Sequence, residues 1–163
     1  MKTYRSLLIS LLILAAACNK EEIQKQQPVA ANDVENAAVT KTKILTAKPW
    51  RYQKLTYNYN PTTKTGQVVY LRSRATNTVH VGDVKVYYKT AGGYDEIDSV
   101  GTHHPGTWKF TGPTQDTVQI TYTGNPTPLK YVVQALSATN YNVLYRVGNT
   151  LRLAAFVRVP NGQ

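Results

Sequence analysis

One cysteine, Cys18, is all the chain has, so no intramolecular disulfide can form and the fold must stand on burial and hydrogen bonding. Acidic residues are scarce too: nine Asp and Glu face nineteen Lys and Arg, for a formal net charge of +10. The most apolar stretch, Leu7 to Leu14, is far shorter than the roughly 20 residues a permanent membrane-spanning helix needs. Lys and Arg never occur three in a row, and zinc-finger spacing is missing. The positive excess therefore reads as a solvated basic surface, with no nucleic-acid partner. Gly-x-Ser-x-Gly, His-Glu-x-x-His and glycine-rich phosphate loops are absent, and no cysteine is left over as a nucleophile. These absences argue against an enzyme, and nothing in the sequence calls for a cofactor.

What is present starts at the N-terminus. Lys2 and Arg5 precede the apolar run, and Ala15-Ala16-Ala17 follow it. A basic start, a short apolar core and small residues before a cut site describe a signal peptide over residues 1–17. Cys18 comes directly after the small residues, which resembles the lipobox of bacterial lipoproteins. That resemblance implies lipidation of the Cys18 thiol and acylation of the amine that cleavage frees. One acyl chain holds a membrane only marginally, whereas two or more anchor it. Loss of Lys2 and Arg5 takes the net charge from +10 to +8. Lys20-Glu21-Glu22, just past the cysteine, resembles the surface-export signal of Bacteroidetes lipoproteins. The expected location is the outer membrane, lipid-anchored, with the cell surface as the implied face.

Residues 18–42 carry Gln24, Gln26, Gln27, Pro28, Asn32 and Asn36, with few bulky apolar side chains. Such a stretch buries too little to offset its ordering entropy and is expected to be a disordered tether. Residues 43–163 form the expected domain. Ile44 and Leu45 suggest a brief helical turn plugging one end, stopped by Pro49. Beyond it, Tyr occurs 12 times and Thr and Val are abundant, which favours strands. Expected strands are Trp50 to Asn60, Gln67 to Arg72, Val79 to Lys89, Thr107 to Thr111, Thr117 to Thr123, Leu129 to Leu136, Tyr141 to Val147 and Leu151 to Val159. Ala91 to Pro105 reads as a loop with a short strand at Ile97 to Val100. Short Gly-, Pro- and Asn-rich connections join antiparallel neighbours. The expected fold class is all-β: an antiparallel up-and-down meander of about eight strands that closes into a barrel and so removes its edges.

Three segments carry a family resemblance: Lys48-Pro49-Trp50, Gly106-Thr107-Trp108-Lys109-Phe110 and the C-terminal Leu151-Arg152-Leu153. Over Ile44 to Pro160 the chain resembles the lipocalin-like lipoproteins of Bacteroidetes. The resemblance implies a small antiparallel barrel or half-open cup. Asp98-Ser99-Val100 and Asp116-Thr117-Val118 also resemble the Bacteroidetes O-glycosylation triplet, making Ser99 and Thr117 candidate acceptors.

The candidate ligand-binding residues are Trp50, Tyr52, Tyr70, Tyr88, Trp108, Tyr122, Tyr131 and Tyr145. Tyrosine offers an apolar wall with a polar tip, which suits a small hydrophobic or amphiphilic ligand. Two readings stay open: a binding module, or a structural and interaction accessory of an envelope complex with a solid core. His103-His104, near Asp95, Glu96 and Asp98, is the one metal-like cluster. Adjacent residues on a strand face opposite ways, so no metal is assigned. His80, alone in an expected strand, reads as structural.

Overall fold

A computed structural model describes residues 31–160, with side chains described from residue 39 onward. The expected signal peptide, Cys18 and the first part of the tether lie outside the described residues. Helix α1, Ala31–Thr46, opens the described chain. It is longer than the turn expected at Lys43 to Ala47, and it takes up residues 31–42 of the expected tether. The reason is local: Ala31, Ala37, Ala38, Glu35, Lys41 and Lys43 are good helix formers, and no proline intervenes between Pro28 and Pro49. Among the described residues no helix is long and apolar enough to cross a membrane.

Nine strands follow: β1 Trp50–Asn60, β2 Thr65–Leu71, β3 Lys85–Tyr88, β4 Gly93–Ile97, β5 His103–Thr111, β6 Thr117–Tyr122, β7 Leu129–Leu136, β8 Asn140–Val147 and β9 Thr150–Arg158. Every pairing is antiparallel, and β9 returns to β1 through pairs from Trp50↔Arg158 to Thr56↔Leu153. Thus β1 and β3 to β9 close an eight-stranded barrel. The ninth strand, β2, shares an edge of β1 with β3. β3 pairs only with Trp50 and Arg51 at the start of β1, whereas β2 pairs with Lys54 to Asn60 farther along.

The meander was legible, but three local readings change. The strand expected over Val79 to Lys89 shrinks to β3; residues 72–84 are a loop that crosses the edge of β2, with Thr78 N–H donating to Val69 O at 3.0 Å. His80 sits exposed in that loop, outside any strand. The expected loop Ala91 to Pro105 instead holds β4 and the start of β5. Of the short strand expected at Ile97 to Val100, Ile97 ends β4 and the rest falls in the turn Asp98 to Gly101: Asp98 O accepts from Gly101 N–H at 3.1 Å, and Gly101 has φ +88°. Asp98 also accepts through its side chain from Val100 and Thr102 N–H, which fixes a turn in place of extended chain.

The barrel has two unlike ends. α1 lies across one, where Lys41 Nζ donates to Thr114 O and Gln115 O between β5 and β6. Leu45 is fully buried there, and its carbonyl accepts from Trp50 Nε1 at 2.9 Å. Arg158 completes the plug. It donates to Ile44 O, to Lys48 O and to Ala138 O, and its guanidinium lies 3.8 Å from the Trp50 ring centroid. A cation on the last carbonyls of a helix is favourable to its dipole. The β4–β5, β6–β7 and β8–β9 turns gather at the opposite end.

Candidate functional site

Seven of the eight candidate aromatics are buried, and Tyr122 is half-buried. Most touch one another. Trp50 meets Tyr141 at 5.5 Å, Tyr141 meets Phe156 at 5.5 Å, and Phe156 meets Tyr52 at 4.4 Å between ring centroids. Tyr88 packs edge-on against Tyr94, Trp108 and Tyr141. Tyr131 faces Tyr145 at 4.7 Å. Tyr70 stands apart, with its hydroxyl near Gly82 in the loop that follows β2. The middle of the barrel is therefore an aromatic core. Burial pushes the hydroxyls of Tyr52, Tyr88, Tyr94, Tyr131 and Tyr141 to a higher pKa. They stay neutral wherever the fold is intact near neutral pH.

Toward the unplugged end the interior turns polar. Alternation along β4 puts Glu96 on the same face as Tyr94, so the carboxylate points inward. Its Oε2 accepts from Tyr94 Oη at 3.0 Å and from Tyr122 Oη at 2.9 Å. Across the barrel, Tyr145 pairs with Arg152 in the β8–β9 register, which places Arg152 inward as well. Its guanidinium lies 4.1 Å from the Tyr57 ring centroid, and its Nε is buried without a partner among the described residues. Burial raises the Tyr145 hydroxyl's pKa, and the neighbouring Arg152 opposes the shift. Arg152 and Arg158 depart from the expected solvated basic surface, since each stacks on a ring of the barrel.

The barrel wall parts between the start of β7 and the end of β8. β7 pairs with β8 only from Val132↔Leu144 to Leu136↔Tyr141. Before that, Leu129, Lys130 and Tyr131 pair with β6 alone, and Tyr145 to Val147 pair with β9 alone. Pro128 has no backbone N–H to extend the ladder. The rings of Tyr131 and Tyr145, at the next rung, stand on the inner face where the strands separate. The gap holds a cleft of about 460 Å³ lined by Pro128, Leu129, Val132, Leu144, Tyr145 and Leu151, with Lys130 and Arg146 at its margin. That volume lies in the range of small-molecule sites. Of the eight candidate aromatics, Tyr145 alone lines it.

The cleft's apolar residues were not singled out in the sequence. Leu129, Leu144 and Leu151 look like ordinary strand positions; the β8–β9 ladder sets Leu151 near Leu144, and the end of the β7–β8 ladder opens the space between them and Leu129. Glu96 was noticed only as a companion of the histidines. The alternation Tyr94-Asp95-Glu96 could have shown a carboxylate on the buried face.

The other candidates separate. His103 Nδ1 lies 2.7 Å from Asp95 Oδ2, and His104 Nε2 lies 3.1 Å from Asp98 Oδ2. The hydrogen bond from His104 holds the Asp98 carboxyl below its ordinary pKa. No group of three or more His, Cys, Asp or Glu side chains gathers among the described residues. Ser99 is exposed in the β4–β5 turn beside the exposed Val100. Thr117 opens β6, with its hydroxyl 3.2 Å from Asp116 Oδ1 and the fully buried Val118 after it.

No protein-family model matches the chain, and no curated protein matches it in sequence. Among solved structures, a lipocalin-like protein from Bacteroides uniformis is similar. It shares 14% sequence identity at a TM-score of 0.44, over 71% of this chain and 99% of that one.

Proposed function

We propose that this chain is a lipid-anchored protein of the cell envelope, acylated at Cys18, whose barrel binds a small hydrophobic or amphiphilic molecule. Support for the anchor is the signal-like N-terminus with its lone cysteine. Support for binding is the cleft between β7 and β8, where the ladder breaks and leucines line about 460 Å³ of space. That break is the observation that carries the reading, because a ladder continued to Leu129 would leave no such space. The aromatics in the barrel's middle pack against one another and reach the cleft through Tyr145.

Labelling of cells with a radioactive fatty acid tests the anchor: label on the wild type and none on Cys18→Ala supports it, and an unlabelled wild type refutes it. Native mass spectrometry of the full chain from its own host tests the ligand. An adduct of small-molecule mass is the expected result. No adduct, with no thermal shift across a panel of apolar and amphiphilic compounds, would count against binding.

A second reading is favoured by one observation, the stacked rings that occupy the barrel's middle. On that reading the protein is a non-catalytic accessory of an envelope complex, solid inside. Cross-linking on intact cells that captures one stoichiometric protein partner is its expected signature.

A further inference from the structure

We infer that the ligand of the β7–β8 cleft is an anionic amphiphile: an alkyl chain seated on Leu129, Val132, Leu144 and Leu151, with its head group between Lys130 and Arg146. The inference rests on the proposed binding role and adds the charge of the ligand. Both margins of the cleft are cationic, and no carboxylate lines it. Neither Lys130 nor Arg146 makes an ion pair among the described residues. The Arg146 guanidinium reaches only the Asn149 carbonyl, at 3.5 Å.

The charge bias extends well beyond the cleft. All nine acidic residues of the chain lie at or before Asp116. From Thr117 to Gln163 there is no Asp or Glu, while Lys130, Arg146, Arg152 and Arg158 are all present. The wall built from β6 to β9 thus carries positive charge with no internal compensation. The inward Glu96 belongs to β4, and Tyr94 and Tyr122 already engage it. A cationic head group would meet two like charges at the margin and no partner. A neutral chain would gain burial alone. An anion gains burial and two favourable charges, which are screened by salt as exposed pairs are.

The test uses the full chain and three probes that share one chain length: decanoate, decanol and decyltrimethylammonium, each below its micelle concentration. Titration calorimetry at low salt is expected to rank decanoate first, by about tenfold over decanol, with the cation weakest. The double variant Lys130→Glu with Arg146→Glu changes only exposed side chains and is expected to fold. It should lose the preference for decanoate or invert it, and added salt should shrink the preference in the wild type. Equal binding of all three probes, or an anion preference that survives the double variant, would overturn the inference and leave the cleft as a site for neutral chains. If none binds, both the inference and the binding role fall.

Discussion

Arg158 donates to three separate carbonyls, on α1, on the segment before β1 and on the β7–β8 turn, and stacks on Trp50. Each charged hydrogen bond of this kind contributes more than a neutral one, and the stacked ring adds to it. Arg158→Ala is therefore expected to cost about 3 kcal/mol and lower the melting temperature by roughly 10 °C. Calorimetric melts check this; a shift under two or three degrees would show that the plug contributes little. Arg158→Lys should recover only part, since an ammonium cannot serve three carbonyls in a planar fork. This role was not legible in the sequence. Arg158 has the inward parity of Ala154 and Phe156 along β9, yet a charge at the end of a strand reads as solvated. Only the helix end packed over it changes that. Trp50 was singled out as a candidate ligand-binding aromatic; its burial beneath Arg158 was not foreseen.

At the scale of the element, the Gly-Thr-Trp segment of β5 shows why its glycine is there. A Cβ on Gly106 would stand 2.4 Å from Thr121 O on β6, in fixed backbone. Gly106→Ala should force the two strands apart and cost about 2 kcal/mol or more. Urea unfolding checks it, with an unchanged midpoint as the contrary result. The segment was visible in the sequence, but its cause is a contact with a residue fifteen positions later. The β4–β5 hairpin was missed for a related reason. Gly92-Gly93 and the acidic cluster suggested a loop, yet Gly92 serves the β3–β4 turn at φ +81° and Glu96 hydrogen-bonds inside the barrel, so polar residues there do not mean irregular chain. The break between β7 and β8 was equally hidden. Both strands have proper strand composition along their full lengths, and register is a relation between them that neither states alone.

The barrel as a whole uses tyrosine where other proteins use leucine and phenylalanine. Only two phenylalanines occur in the chain. The surplus of tyrosine read as a ligand wall is spent largely on the core, and this has a consequence at high pH. Burial raises the folded-state pKa of Tyr52, Tyr88, Tyr94, Tyr131 and Tyr141 above the unfolded value near 10. The unfolded chain then loses protons first, so their stabilisation is complete below about pH 10 and falls as the pH climbs toward the folded values. All five lose stabilisation in the same window, so alkali is expected to unfold the barrel. The absorbance of these five as tyrosinates should therefore rise in one cooperative step together with loss of the near-ultraviolet dichroism. Smooth titration near pH 10 with the fold retained would contradict the packing described.

Aromatic strands, short turns and a closed meander were all written locally, so the architecture could be read from the chain. The functional geometry depends on which residues face each other across the closed wall, and that emerges only on closure. The middle of the barrel is filled with aromatic rings, and on the proposed function a ligand enters where β7 and β8 part. The most direct test is a two-dimensional amide NMR titration of the full chain with decanoate, read at the backbone and at the two indole N–H signals. Shifts confined to Leu129 through Val132 and Leu144 through Leu151, with the Trp50 and Trp108 indoles unmoved, are the predicted result. Movement of both indole signals with a silent cleft would place the ligand inside the barrel and contradict it.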